Sequence, residues 1–180
     1  MRRVVFYCLF SLPFFLMAQT DKGRLLLGGN IDMSFFRQDK LSQFNFAVRP
    51  SVGVFVFRHF ALGGSYQFGI SSNSEDKAQV FTSSIGPYVK YYIGKKMVKG
   101  YVAVLGGYQV RTRIKNGGVG NLNGFYAGGN AGVAYFFNPY VALESGLFLN
   151  ASGFEGLYPA TRFGLGIGVQ VFLDVPKENK

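Results

Sequence analysis

The sequence has few residues that could carry out catalysis or bind a metal. Its 180 residues include one cysteine, Cys8, and one histidine, His59. Cys8 lies in an N-terminal segment that we expect to be removed, so the mature chain would have no disulfide and no thiolate ligand. A single histidine without a cysteine also argues against a zinc site. The composition therefore predicts no metal and no cofactor.

The same shortage argues against an enzyme. A catalytic triad brings a nucleophile, a histidine and an acid within hydrogen-bond reach. His59 lies between Arg58 and Phe60 in a predicted tight turn, and no His-x-Ser sequence occurs. We expect His59 to be a turn residue at an interface, no residue to be catalytic, and the protein not to be an enzyme.

Acidic residues are scarce as well. Nine acidic residues face 19 basic ones, and the formal net charge is +10. A basic protein can bind nucleic acid, but here the basic residues are scattered and form no basic helix. The glycine-rich segments at 117–120 and 164–168 are not followed by the Gly-Lys-Ser/Thr of a phosphate loop. We expect no nucleic-acid partner, a flexible loop at 117–120, and a strand at 164–168.

The N-terminus resembles a secretory signal peptide. Arg2 and Arg3 precede an apolar run from Val4 to Met17, and Ala18 follows. This run is shorter than the roughly 20 residues of a spanning helix, although an uncleaved anchor helix is the alternative. We predict a signal peptide at 1–18 and a mature chain that begins at Gln19.

The dominant feature of the remaining chain is an alternation of apolar and other residues. In the first of eight such stretches, Leu25, Leu27 and Ile31 alternate with Leu26, Asn30 and Asp32. A period of two places these two sets on opposite faces of a β-strand. None of the eight apolar stripes contains an acidic or basic residue. Since a charge facing lipid costs about 2–4 kcal/mol at mid-bilayer, these stripes predict a lipid-facing surface.

The opposite faces carry the charges. An eight-stranded barrel is barely wide enough for its own side chains, so charges inside it must be paired. Because arginine offers a planar fork to carboxylates, we expect Glu144 to pair with an arginine. A selective path for a small anion is the alternative, because cations outnumber carboxylates. The predicted lumen charge network consists of Asp32, Arg49, Lys90, Arg111, Glu144 and Arg162.

The connections between stretches also alternate. Short turns are predicted at 58–60, 94–99 and 137–139, and longer polar loops at 37–43, 72–78, 115–123 and 153–160. This arrangement predicts an all-β, transmembrane, eight-stranded antiparallel up-and-down barrel over residues 19–173, with a polar tail at 174–180. Aromatic residues near the strand ends predict interfacial girdles: Phe35, Phe36, Phe44 and Phe46 at one end, and Tyr91, Tyr92, Tyr101, Tyr135 and Tyr140 at the other.

A soluble barrel of the lipocalin type is the alternative interpretation of the alternation. Its outer face would need lysine, glutamate and threonine for solubility. The more polar face of this chain is mainly glycine, alanine and serine, which are too small to solvate a surface but suit a narrow lumen. The composition of that face therefore favours the membrane barrel.

With its signal peptide, its eight strands, and segments such as Ser51–Phe57 and Arg162–Phe172, the chain resembles the small eight-stranded outer-membrane barrels. That family includes outer-membrane proteins X and W and the membrane domain of outer-membrane protein A. The resemblance implies a monomer in the outer membrane of a Gram-negative bacterium, with both termini in the periplasm. Expected partners are outer-membrane lipids and lipopolysaccharide, the barrel-insertion machinery during assembly, and a protein at the loops. The implied role is structural or interactive; alternatives are transport of small hydrophobic compounds or anions, and lipid modification.

Overall fold

The chain forms a closed barrel of eight antiparallel strands in a computed structural model that describes residues 20–38, 41–73, 79–94, 97–115, 118–154 and 160–175. Each strand pairs with the next along the chain, and the last pairs with the first. The predicted all-β up-and-down barrel is confirmed, whereas the predicted signal peptide lies outside the described residues. The strands are β1 (Leu25–Gln38), β2 (Leu41–Phe57), β3 (Phe60–Asn73), β4 (Gln79–Ile93), β5 (Val98–Lys115), β6 (Gly118–Asn138), β7 (Val141–Phe154) and β8 (Ala160–Leu173).

The alternation in the sequence gives the barrel an apolar outer surface and a lumen lined by both polar and apolar side chains. On β8, Ile167 and Val169 are 47% and 50% exposed, whereas Gly168 and Gln170 beside them are buried. Phe46 on β2 and Val104 on β5 are likewise exposed. Large apolar side chains that cover the outside of a closed barrel suit a hydrocarbon solvent rather than water. None of the described residues belongs to a helix that could cross a membrane.

The barrel has two different ends. At the end that we call terminal, residues 20–24 and 174–175 lie beside the turns that follow β2, β4 and β6. The turn after β2 places His59 at a φ of 68°, and the turn after β6 is closed by Asn138, whose side chain accepts hydrogen bonds from the amides of Tyr140 and Val141. The opposite end, which we call distal, carries the connections that follow β1, β3, β5 and β7.

Two predicted distal loops are much shorter than expected. The sequence predicts a loop at 115–123, but Lys115 pairs with Gly118 and Ile114 pairs with Val119, so β5 and β6 continue almost to their connection. Gln38 likewise pairs with Leu41, which leaves two residues between β1 and β2. The physical reason is that a neighbouring strand offers hydrogen bonds to the backbone, and this pairing overrides the loop preference of glycine and asparagine.

The girdle prediction is wrong for two tyrosines. Tyr91 and Tyr135 are exposed at the terminal end, as expected for an interfacial girdle, but Tyr92 is 0% exposed and Tyr101 is 3% exposed. Successive residues of a strand point to opposite faces, so Tyr92, which follows the outward Tyr91, must point inward. Aromatic character predicts a position near a strand end, whereas the period of two decides the face. Tyr140, in the turn after β6, is exposed as predicted.

Candidate functional site

The lumen contains the predicted charged residues, and one pair joins β1 to β2. Asp32 and Arg49 both point inward, and the distance from Arg49 Nη2 to Asp32 Oδ2 is 2.6 Å. Arg49 also donates from Nε and Nη2 to Gln67 Oε1 on β3, at 3.2 Å and 3.0 Å. The two charged side chains are each 6% exposed. Neighbouring strands thus hold a buried ion pair whose arginine has a further polar partner.

A second pair crosses the lumen. Lys90 Nζ on β4 donates to Glu144 Oε2 on β7 at 2.8 Å, so Glu144 pairs with a lysine and not with the expected arginine. The Tyr92 hydroxyl donates to Glu144 Oε1 at 2.6 Å, and Gln170 Nε2 donates to Oε2 at 3.2 Å. Three donors therefore satisfy a carboxylate that is 0% exposed. Because β4 and β7 are not adjacent, these bonds span the interior and block it.

The other two predicted residues, Arg111 on β5 and Arg162 on β8, lie toward the distal end. Among the described residues, neither has a carboxylate within ion-pair distance. The guanidinium carbon Cζ of Arg111 lies over the Phe154 ring, 4.1 Å from its centre, and among the described residues its buried Nε has no hydrogen-bond partner. The six residues are thus arranged as two ion pairs and two cations to which no described carboxylate is paired.

The terminal end of the lumen is filled by side chains that we call the aromatic plug: Phe55, Tyr92, Phe136 and Phe172, together with Leu26. All five are 0% exposed. The ring centres of Phe136 and Phe172 are 5.0 Å apart, and those of Phe55 and Phe172 are 6.0 Å apart. Rings at these distances pack face to face or tilted with no room for water between them. The alternation places Leu26 and Phe172 inside the lumen, but it does not indicate that they join rings from other strands.

Arg24 holds the two termini together at the terminal end. Its guanidinium forms an ion pair with Asp174, at 2.7 Å from Nε to Oδ1, and donates to the carbonyl oxygens of Pro139 and Phe172. The group also lies over the Tyr140 ring, 5.4 Å from its centre. One side chain therefore links the start of β1, the β6–β7 turn and the end of β8, where the barrel closes.

Thr20 fills the mouth at the same end. It is 1% exposed, its hydroxyl is in hydrogen-bond contact with His59 Nδ1, and Lys99 Nζ donates to the hydroxyl at 3.2 Å. Burial lowers the pKa of His59, and the charges of Lys99 and Arg58 lower it further, against the opposing effect of Asp21. A hydroxyl that is buried in this way cannot reach a substrate, so the contact between Thr20 and His59 is structural.

No metal centre emerges from these groups. Among the residues that the structure describes, no three histidine, cysteine or acidic side chains come close enough to hold a metal ion. The carboxylates of Asp32 and Glu144 are each engaged by a cation. The chemistry available in the lumen is therefore charge pairing and hydrogen bonding.

Two cavities lie in the polar part of the lumen. One, with a volume of about 20 Å³, lies between the two ion pairs, and it is lined by polar groups including Tyr88 and Asn130. The other, with a volume of about 10 Å³, is lined by Asp32, Arg162 and Asn150, among others. Within the part of the chain that the structure describes, the buried side-chain oxygens of Asn130 and Asn150 have no hydrogen-bond partner. Polar cavities of this kind suit water, and the aromatic plug separates them from the terminal end.

A closed barrel with an apolar belt outside and paired charges inside defines a small transmembrane β-barrel of the outer-membrane type. No protein-family model matches the sequence, and no curated protein matches it. Solved structures do match it. The chain is similar to Neisserial surface protein A (NspA), with 19% identity and a TM-score of 0.66 over 83% of this chain and 97% of that one.

Two further solved barrels are similar. The N-terminal β-barrel domain of Pseudomonas aeruginosa OprF matches with 16% identity and a TM-score of 0.58, over 84% of this chain and 98% of that one. The outer membrane protein OprG from the same organism matches with 9% identity and a TM-score of 0.54, over 88% and 100%. The resemblance drawn from the sequence is thus confirmed for the fold.

Proposed function

We propose that this chain is a monomeric outer-membrane barrel that does not conduct solutes and that serves a structural or interactive role in the Gram-negative envelope. The observation that carries the proposal is the double closure of its lumen. The Lys90–Glu144 pair crosses the lumen directly beside the aromatic plug, and the plug fills the terminal end. Lipopolysaccharide or a protein partner would then meet the distal hairpins, while outer-membrane lipids would surround the belt.

The closure argues against the rival functions. Transport of a small hydrophobic compound would need an apolar passage, but the inward apolar residues Leu105 and Phe148 are separated from the plug and do not join it. Lipid modification would need a nucleophile and a base open to lipid, and Thr20 beside His59 is buried in the mouth. A closed barrel whose described residues offer no such pair of groups to lipid is best suited to support and recognition.

Conductance in planar bilayers tests the closure. The refolded mature chain should give no sustained current, because side chains occupy the whole cross-section of the barrel. As a matched control, a variant that combines Phe136→Ala with Phe172→Ala should conduct more often, since it opens the plug, whereas Phe163→Ala on the lipid face should not. Stable porin-like currents from the unmodified chain would overturn the proposal.

Location and role require a second experiment in the parent bacterium. The mature protein should fractionate with the outer membrane and begin at Gln19 by N-terminal sequencing. A strain without the protein should admit more of a hydrophobic dye through its outer membrane, and the unmodified chain should reverse this defect. A strain with unchanged dye entry and unchanged surface binding of lipopolysaccharide-directed or protein ligands would contradict an envelope role.

A further inference from the structure

Residues 20–24, which we call the terminal strap, lie at the mouth of the terminal end and belong to no strand. At one end of the strap, the Phe55 amide donates to the Arg24 carbonyl oxygen at 2.9 Å. At the other end, the His59 amide donates to the Thr20 carbonyl oxygen at 2.7 Å. The strap is thus docked by its backbone on β2 and on the turn that follows β2.

The side chains of the strap hold its two ends differently. Arg24 anchors its own end through the ion pair with Asp174 and through hydrogen bonds to carbonyl oxygens of β8 and the β6–β7 turn. Toward the other end, Asp21 lies 3.7 Å from Arg58, but both side chains are exposed, and an exposed ion pair contributes little. The Thr20 end therefore depends mainly on the contacts of Thr20 itself.

The buried hydroxyl of Thr20 links a cation to an imidazole. Lys99 Nζ on β5 donates to this hydroxyl at 3.2 Å, and the hydroxyl is also in contact with His59 Nδ1. An ammonium group only donates, so the hydroxyl oxygen accepts from Lys99 and its single hydrogen remains for another acceptor. Among the described residues, the acceptor in contact with it is His59 Nδ1. This bond requires a neutral imidazole whose hydrogen is on Nε2.

Protonation of His59 is incompatible with this chain of hydrogen bonds. An imidazolium carries a hydrogen on both nitrogens, so Nδ1 no longer accepts from Thr20. The hydroxyl hydrogen would lose its acceptor, and two cations would meet at one buried oxygen. A proton on His59 therefore weakens the contacts that hold the Thr20 end of the strap.

The other charged groups around His59 act mostly in the same direction. Burial lowers the pKa of His59, and the charges of Lys99 on β5 and Arg58 in the same turn lower it further, whereas Asp21 on the strap raises it. From β4, Tyr92 donates its backbone amide to the His59 carbonyl oxygen, and its hydroxyl is engaged inside the lumen. The surroundings of the ring therefore favour the neutral form while the strap is docked.

We propose that Thr20, His59 and Lys99 form a pH-sensitive latch, which holds the Thr20 end of the terminal strap while His59 is neutral and releases it when His59 gains a proton. The Arg24 end stays docked, because its contacts do not involve the imidazole. Release uncovers the mouth but leaves the aromatic plug in place. The latch is therefore independent of the proposed function.

Nitrogen-15 NMR of the imidazole tests the arrangement of hydrogens. His59 is the only histidine in the sequence, so its ring signals need no assignment. In the mature chain in detergent micelles at pH 7.5, the ring should carry its hydrogen on Nε2 and none on Nδ1. Thr20→Val removes the hydroxyl, and the pKa of His59 should then rise toward its ordinary value of about 6.5. A ring with its hydrogen on Nδ1 at pH 7.5 would overturn the latch.

Amide hydrogen exchange tests the release. The amide at position 59 reports on the Thr20 end of the strap, and the Phe55 amide reports on the Arg24 end. Between pH 7.5 and 5.5, the protection factor at position 59 should fall by up to about tenfold, because a histidine freed from the latch binds a proton about tenfold more readily at one pH unit below its ordinary pKa. Phe55 should keep its protection. An equal fall at both amides, or none at position 59, would contradict the proposal.

Three variants separate the latch from a general effect of charge. His59→Asn tolerates the positive φ and does not titrate, so protection at position 59 should no longer change with pH. Lys99→Met removes the second cation, so the fall should become smaller. Lys22→Gln is the matched control, since Lys22 is an exposed residue of the strap outside the latch, and it should respond as the wild type does. A response lost as fully in Lys22→Gln as in Lys99→Met would overturn the latch, and the ring measurement on the unmodified chain tests it even if a variant does not fold.

Discussion

The terminal and distal halves of the barrel share one exterior and have opposite interiors. Outside, apolar side chains such as Val102 and Phe125 run from end to end. Inside, the terminal half is filled by rings, and its cations have partners: Arg24 binds Asp174, and Lys90 binds Glu144. The distal half keeps Arg111 and Arg162 without a carboxylate among the described residues. The comparison shows that the buried Lys90 charge is neutralised by a carboxylate across the lumen, whereas the described residues offer no such partner to the two distal arginines.

The largest expected effect comes from removing the Lys90–Glu144 ion pair in the terminal half of the lumen. Glu144→Ala leaves Lys90 buried without a counterion and removes the acceptor of the Tyr92 hydroxyl. The free energy of unfolding should fall by about 3–5 kcal/mol, as measured by urea unfolding in lipid vesicles. Arg162→Gln is the distal counterpart and should cost far less, because no described carboxylate loses a partner. Equal losses from the two variants would remove the distinction between the halves.

A double-mutant cycle sharpens the same point. Lys90→Met combined with Glu144→Leu should cost much less than the sum of the single losses, because the two charges disappear together. Arg49 belongs to the other ion pair, so the free energy of unfolding lost on replacing Arg49 should add to that lost on replacing Glu144. Strong coupling between Arg49 and Glu144 would instead show that the predicted residues act as one network.

The next effect concerns the shared exterior. Ile167→Arg places a charge in hydrocarbon and should cost about 2–4 kcal/mol of folding in vesicles. Ile167→Ala is the control that removes apolar area without adding charge. Gly168 is a poor site for the inward comparison, because a Cβ there would lie 2.5 Å from the Gly29 carbonyl oxygen. Cysteine at 167 should react with a lipid-soluble maleimide; protection there would mean that the belt is covered by protein.

A smaller effect is expected where the barrel closes. Asp174→Asn removes the ion pair with Arg24, but the Asp174 side chain is 64% exposed. Exposed pairs contribute about 0.2–1 kcal/mol, so unfolding in urea should shift only slightly, and less at high salt. A loss as large as that of Glu144→Ala would show that this pair is effectively buried.

The smallest effect is a pH dependence at the terminal mouth. The folded chain lowers the pKa of His59, chiefly through burial, so folding disfavours the charged form. Stability should be fully present above the ordinary histidine pKa of about 6.5 and should decline as the pH falls below it. Asn tolerates the positive φ at this turn and does not titrate in this range. Unfolding free energies of wild type and His59→Asn between pH 7.5 and 5.5 should therefore diverge; parallel profiles would contradict the assignment.

The faces of the strands are predictable from the sequence, and the lengths of the hairpins are not. A period of two is local, so the alternation alone identifies Asp32, Arg49 and Glu144 as inward. The distal extension of β5 and β6 depends instead on which strand lies beside them, and residues 118–120 carry no local sign of that pairing. The alternation predicts that the side chains of Tyr92 and Tyr101 point inward, whereas their aromatic character alone predicts a position at the membrane interface.

Some contacts inside the lumen cannot be predicted from the sequence, because they join side chains that lie on different strands. A Cβ at Gly164 would lie 2.6 Å from the Phe148 ring, so the missing side chain on β8 makes room for an aromatic ring from β7. The sequence indicates a crowded lumen at this glycine, but not which ring occupies the space. The roles of Gln67 and Gln170 cannot be predicted from the sequence for the same reason, since these roles depend on the charged groups to which the two side chains hydrogen-bond.

By itself, the sequence determined that this protein is a membrane barrel and which residues face lipid, because the cost of a charge in hydrocarbon imposes a strict pattern on every strand. Only the tertiary structure decided how the inward residues combine. Lys90 and Glu144 are 54 positions apart and lie on strands that are not adjacent. Their meeting requires the barrel to close, and closure sets which side chains share a level in the lumen, a relation that no local pattern contains.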